Sequence, residues 1–422
     1  MSRISRAAWV VAVSLVTGVV MTGGTPAEAA EKPAKGKPAG PKMNPKVLKP
    51  LQAALELTNA GKYAEAEVGL QTADAVADKT PFEQFQIDEL AGFVAYKQKK
   101  YDVAAAAYVR CLDSGLMAPE QVNDRLRLLS QIFLQTQPAN VAKSGEYGKR
   151  WLEASGNRDP LILGIVGQAA YFSDNFSDAT NYMKEAVSLS KAAGKKPEEN
   201  WLLVLQSAYS KLKNNPGTTE ATTDLVRYYP KKEHWLVLSQ VLLAQAANKD
   251  RQIFQVFRLL YAVDALDEAD DFTEGASVAT QLGSPGEALK FMEKGYAIKV
   301  LETSGDKAKS QALLAEAKRQ AAADRKSLPQ FEREALAAKA GEADVKLGEA
   351  FLSYDQTDKG LEAIQRGICK GGVKNLDEAT LALGRAFILA GNGPEAQKAF
   401  AMVKSPDYAL LAQLWSIHAG QL

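Results

Sequence analysis

A period of roughly 34 residues, holding small, glycine and aromatic residues at constant offsets, constrains this chain more than any other feature. The clearest copy reads Leu383-Gly384, Phe387, Gly391, Ala396 and Phe400. The copy before it reads Leu347-Gly348, Phe351, Gly360, Ile364 and Gly367. One near the N-terminus reads Ala53-Ala54, Leu57, Gly61, Tyr63, Ala66, Leu70 and Ala73. A unit this short cannot bury an apolar face alone, so neighbouring units must stack. The pattern predicts an all-α chain and points toward holding partners rather than catalysis.

The offsets have a physical reading. The Leu-Gly pair and the aromatic three residues later share one face of a first helix. The small residue lets a second helix approach, and the large ones fill the space beside it. A turn follows at Gly61, Gly283 or Gly391, where glycine ends a helix without steric cost. The second helix then sets a small residue four before a bulky one: Ala66/Leu70, Ala104/Tyr108, Ala179/Met183, Ala288/Met292 and Ala396/Phe400. These offsets resemble the tetratricopeptide repeat (TPR). About ten copies fit between Asn44 and Ala419, implying a TPR solenoid over 45–422. Its last helix, carrying Leu410, Leu411, Leu414 and Trp415, is expected to cap the exposed end.

The N-terminus reads as an export signal over 1–29. Arg3 and Arg6 precede an apolar run from Ala7 to Met21, and Ala27-Glu28-Ala29 offers small residues for cleavage after Ala29. The run is about 15 residues, short of the roughly 20 that span a bilayer, so no transmembrane segment is expected after cleavage. Residues 30–44 form a basic, Pro-rich linker, and the same composition continues to Lys49 and Pro50.

The rest is balanced, with 51 Lys and Arg against 50 Asp and Glu in the whole chain. Without a concentrated basic stripe, nucleic acid is not an expected partner. The two cysteines, Cys111 and Cys369, fall about seven repeats apart, so a disulfide is not expected. Cys111 occupies a small core position, and Cys369 lies beside a Lys-Gly-Gly turn. His234 and His418 stand in distant repeats and read as surface or cap residues. No HExxH, GxSxG, GxxxxGK[ST], GxGxxG or CxxC occurs, so no catalytic residue, metal site or cofactor is expected. The acidic run Asp264, Asp267, Glu268, Asp270 and Asp271 reads as a solvated surface.

Several joins carry more than repeat consensus. They include Tyr228-Tyr229-Pro230-Lys231-Lys232-Glu233-His234-Trp235-Leu236 and Gly283-Ser284-Pro285-Gly286-Glu287-Ala288, then Ser327-Leu328-Pro329 and Lys370-Gly371-Gly372-Val373-Lys374-Asn375. In these the mature chain resembles exported TPR proteins found with the TonB–ExbB–ExbD system of Gram-negative bacteria. The resemblance implies a periplasmic, non-enzymatic accessory of TonB-dependent outer-membrane uptake, with TonB, ExbD or receptor segments as partners. A periplasmic adaptor for cell-wall or outer-membrane assembly is the alternative. Three copies depart from the pattern. Lys143 replaces a small residue in the third, Lys213-Asn214-Asn215-Pro216-Gly217 reads as an insertion in the fifth, and Lys318 and Ser327 interrupt the eighth.

In stacked helix pairs the first helices line a concave face. The offsets place Phe93 and Tyr96, Gln168 and Tyr171, Gln206 and Tyr209, and Gln240 with Leu243 on it. A glutamine amide can donate to and accept from a peptide backbone, and tyrosine adds apolar area with a polar tip. The strip therefore suits an extended or helical peptide; alternatively, Tyr171 and Tyr209 fill gaps between adjacent first helices. The export reading predicts that protein from a periplasmic fraction begins at Ala30 on N-terminal sequencing; an intact Met1 in the membrane pellet would contradict it.

Overall fold

The computed structural model describes residues 42–246, 249–303 and 306–422; the expected signal and nearly all of the linker lie outside them. Twenty α-helices and no strand are present among the described residues. None of these helices is long and apolar enough to cross a membrane. The chain divides into two compact units that meet at Thr218–Thr219.

The first unit holds α1 (Pro45–Asn59), α2 (Tyr63–Asp74), α3 (Pro81–Lys97), α4 (Tyr101–Asp113), α5 (Pro119–Ile132), α6 (Val141–Ser155), α7 (Pro160–Phe172), α8 (Phe176–Ala192), α9 (Glu199–Lys211) and the start of α10 (Asn215–Tyr228). The second continues through α11 (Lys232–Ala246), α12 (Asp250–Ala262), α13 (Ala269–Gln281), α14 (Pro285–Ala297), α15 (Lys307–Ala337), α16 (Glu342–Ser353), α17 (Thr357–Lys370), α18 (Leu376–Leu389), α19 (Gly393–Ala401) and α20 (Pro406–Ala419).

Local chemistry fixes the helix ends. Proline opens α1, α3, α5, α7, α14 and α20, where its missing N–H costs nothing. Thr80 and Glu83 cap α3 reciprocally, with Glu83 N donating to Thr80 Oγ1 at 3.2 Å and Thr80 N to Glu83 Oε2 at 2.8 Å. The turn inside a pair follows one recipe. A left-handed residue stands at Gly61, Lys99, Asp174, Lys213, Gly283, Asp355 and Gly391. The next amide then donates to the carbonyl five residues back, as Lys100 N does to Ala95 O at 2.8 Å and Asn392 N to Phe387 O at 2.8 Å. The expected glycines thus occupy three of these positions. Lysine and aspartate occupy the others despite the Cβ strain.

Packing within the pairs bears out the predicted helix-turn-helix repeat. A Cβ added at Gly92, Gly167, Gly275, Gly348 or Gly384 would collide with Tyr108, Met183, Phe291, Ile364 or Phe400 respectively. Each bulky partner lies sixteen positions after its glycine, on the second helix of the same pair. The small members Ala66, Ala104, Ala179, Ala288 and Ala396 are all fully buried. The repeat is longer than the expected 34 residues, since Gly348 and Gly384 stand 36 apart.

Several expectations are corrected. The eighth copy is not a hairpin: Lys307–Ala337 is one 31-residue helix with Pro329 inside it. The segment has no glycine and is rich in Ala, Lys, Arg and Glu, so propensity carries the helix through where a turn was expected. Lys213–Gly217 is no insertion but the usual left-handed turn and the first residues of α10. Lys143 is exposed, and the small buried residues of α6 are Ser144, Gly145 and Gly148, so that copy is shifted by one. Pro45, Lys46, Lys49 and Pro50 belong to α1 rather than to extended chain.

The acidic run is not wholly solvated either. Asp271 is buried at the start of α13, and burial pushes its carboxyl up to about 6. His234 is buried on α11. Cys111 is buried and Cys369 exposed, both free.

α20 is more than a cap. It packs on α19 and also against α11 and α12, the first complete helices of the same unit. Trp415 stacks on Phe400 at 6.0 Å, and His418 meets Trp235 of α11 edge-on at 6.4 Å. Gln421 Nε2 donates to Val226 O at 2.9 Å, and Lys249 pairs with Asp407 at 3.0 Å. One apolar cluster therefore runs from Val226 and Trp235 to Leu414 and Ile417.

The hairpin contact predicts a sharp size limit. Ala396→Leu should destabilise the protein by about 1–3 kcal/mol through overpacking, whereas Lys398→Leu, at an exposed position, should leave the melting temperature nearly unchanged. Equal melting temperatures for the two variants would contradict this packing register.

Candidate functional site

The residues predicted to line a groove do not form one open strip. Phe93 and Tyr96 lie half-buried on α3, with Lys97 Nζ 5.2 Å from the Phe93 ring and Tyr101 edge-on to Tyr96 at 6.1 Å. Gln168 and Gln206 are buried, 7% and 3% exposed. Their helices are covered on several sides, α7 by α6, α8 and α9 and α9 by α7 and α8, which takes these amides out of solvent. Tyr171 shares a 2.7 Å hydrogen bond with Ser207 Oγ and so ties α7 to α9. The Tyr209 ring covers Gly217, where an added Cβ would stand 2.7 Å away, so it fills the space between α9 and α10. Both tyrosines fill gaps between helices. Gln240 is half-buried on α11 in the other unit.

A different constellation, which the sequence reading missed, lies within the second unit. Four buried or largely buried charges meet there from four helices: Arg258 of α12, Glu287 of α14, Glu349 of α16 and Arg385 of α18. Arg258 reaches Glu287 at 2.7 Å and Glu349 at 2.9 Å. Arg385 reaches Glu349 at 2.7 Å and Glu287 at 3.3 Å. Each carboxylate is thus shared by both guanidinium groups, the planar geometry that arginine provides and lysine does not. No motif spacing announces such a cluster, because its members lie up to 127 positions apart in sequence.

The electrostatics follow from that sharing. Burial alone would raise the Glu287 carboxyl, but Arg258 and Arg385 outweigh it and hold the group below the usual carboxylate range. Burial also works against the Arg258 charge, yet Glu287 and Glu349 raise its pKa. Arg385 is lowered, first by burial and then by Arg258 beside it.

Beside the network opens a pocket of about 260 Å³. It is walled by α12, the α13–α14 turn, α15, α16 and α18. Arg258 and Glu349 reach it from the network, Phe254, Leu282 and Phe331 supply apolar wall, and Arg251, Lys346 and Gln255 add polar groups. Mixed apolar wall and a few convergent polar groups characterise ligand and peptide sites. Among the described residues no group of three or more His, Cys, Asp and Glu side chains is placed to hold a metal ion.

No protein-family model matches the chain, and no curated protein does. Among solved structures, the chain is similar to one in the structure of Naa15/Naa10 bound to HypK-THB, at 15% identity and a TM-score of 0.32, over 86% of this chain and 58% of that one. It is also similar to one in the crystal structure of the APC/C hetero-tetramer Cut9-Hcn1, at 12% identity and a TM-score of 0.21, over 88% of this chain and 83% of that one. The chain therefore spans less than two thirds of the first of these relatives. TM-scores this low transfer neither architecture nor partner, and the functional reading rests on this chain's own residues.

The charge network predicts a strong asymmetry between partial and paired removal. Arg385→Met leaves two carboxylates to one guanidinium and should cost about 3–5 kcal/mol in thermal or urea unfolding. Adding Glu287→Leu removes the surplus charge and should recover part of that loss. Because the folded Glu287 is held below its ordinary 4.5, its contribution is present above that pH and lost as pH falls through the depressed value. Strictly additive losses would show that the four charges do not act together.

Proposed function

We propose that this protein is a non-enzymatic, periplasmic protein-binding scaffold that serves TonB-dependent outer-membrane uptake. The observation that carries the binding reading is the pocket of about 260 Å³ on which five elements of one unit converge. Helix pairs whose cores are set by small-to-large contacts give stiff walls, so such a pocket is held open before any partner arrives. Preformed walls lower the ordering cost of capturing a flexible segment. A volume of this size takes a side chain or two and the backbone between them, which suits a segment of another protein.

The finer assignment draws support from the sequence. The Tyr228–Leu236 and Gly283–Ala288 joins are among those on which the resemblance to the TonB-associated family rests, and the second of them forms part of the pocket wall through Gly283, Ser284 and Pro285.

The test is titration of the exported chain against purified periplasmic fragments of TonB and ExbD, with pull-down from envelope extract alongside. Saturable binding of either fragment, weakened at least tenfold by Phe331→Ala with helicity unchanged, is the expected result. An envelope pull-down that recovers only cell-wall or outer-membrane assembly proteins would replace TonB by the adaptor role.

A further inference from the structure

The pocket's acids and bases are not equally occupied, and that inequality has a chemical meaning. Each of its carboxylates already has a partner. Asp324 accepts from Tyr354 Oη at 2.6 Å. Glu378 accepts from Tyr408 Oη at 2.6 Å and pairs with Arg251 at 3.1 Å. Glu349 is shared by Arg258 and Arg385 at 2.9 and 2.7 Å. The cations at the mouth are not saturated. Arg251 has five N–H donors and gives one to Glu378, its side chain 62% exposed. Lys346 pairs with Glu342 at 3.4 Å, its side chain 54% exposed.

Two further features point the same way. The N-terminal residues Ser284 and Pro285 of α14 line the pocket, and the Ser284 side chain makes no cap hydrogen bond. That 13-residue helix therefore opens on the pocket with no side-chain cap, and the one acid of its first turn, Glu287, is already held by Arg258 and Arg385. Gln255 is the second feature. It lines the pocket, is 4% exposed, and its Oε1 is buried with no hydrogen-bond partner among the described residues. A buried acceptor left unpaired is costly and calls for a donor.

We propose that this pocket binds an acidic segment of a partner protein, the segment's carboxylate meeting Arg251, Lys346 and the α14 N-terminus while a backbone N–H donates to Gln255 Oε1. The proposal rests on reading the protein as a binder of partner segments and names the chemistry of the segment. The two demands are complementary. An anion without an O–H or N–H supplies the negative charge but no donor, and a neutral peptide supplies the donor but no charge; an acidic peptide satisfies both.

The experiment uses the exported full chain and a fluorescein-labelled, N-acetylated octapeptide alternating glycine and glutamate, followed by fluorescence polarisation. Its control replaces each glutamate by glutamine. The glutamate peptide should bind at least tenfold tighter than the glutamine peptide and weaken steeply with added salt. The double variant Arg251→Ala/Lys346→Ala should lose at least tenfold in affinity at an unchanged melting temperature, since both side chains are more than half exposed. Gln255→Leu should weaken the peptide while its charge preference persists. Equal binding of the two peptides, no binding of either, or unchanged affinity in the double variant would overturn the proposal. Displacement of the peptide by an equal concentration of inorganic phosphate would also overturn it, in favour of a free-anion site. If the double variant still captures TonB, ExbD or other envelope partners, the scaffold reading stands and this site falls.

Discussion

Five hairpins among the described residues are built on one contact, on which the packing around them depends: a glycine on one helix, under a bulky residue sixteen positions later on the next. At Gly384 the Phe400 ring occupies the very space a Cβ would need. Close approach brings many atom pairs to optimal separation, and the gain is collective rather than local. It also fixes where the second helix must run, which in turn fixes where the third can pack. The same geometry recurs at Gly92, Gly167, Gly275 and Gly348.

The second unit departs from a plain stack, and its charges show why that matters. Helices α12, α14, α16 and α18 each contribute one charged residue to a common centre. Four charges desolvated together are tolerable only if every one is shared, because a single unpaired charge in such a place costs several kcal/mol. The sharing makes the arrangement selective. A change in the relative placement of any of the four helices would strand an arginine or a glutamate. The α20 seam, with Trp235, His418 and Trp415 in line, constrains the same unit from outside that centre.

The sequence made the hairpins legible because their determinants are local: a small residue, a turn, and a bulky residue at a fixed offset. What it hid was of three kinds. Left-handed turns at Lys99, Asp174, Lys213 and Asp355 carry no glycine, so a search for glycine finds only part of the pattern. The long α15 is hidden because its sequence keeps remnants of the repeat pattern, whereas its Ala-, Lys- and Glu-rich composition favours an unbroken helix. Burial of Gln168 and Gln206 depends on how the neighbouring helices α6 to α9 pack together, which an offset on one helix does not report. The charge network was the least legible of all, since Arg258 and Arg385 stand 127 positions apart.

The pocket joins these two levels. Its walls come from hairpin packing, and Gly286 shows how tightly: an added Cβ there would strike Ser353 of α16. That close approach sets the start of α14 against α16, beside the wall that carries Lys346, Glu349 and Ser353. Its electrostatics come from the network, because Arg258 and Arg385 hold Glu349 and leave it no strong claim on Arg251 or Lys346. Had Glu349 lacked those partners, it would compete for the cations at the mouth and cancel their attraction for an incoming acid. The buried network and the exposed cations are therefore one design in physical terms: the inner charges are mutually satisfied so that the outer ones remain available.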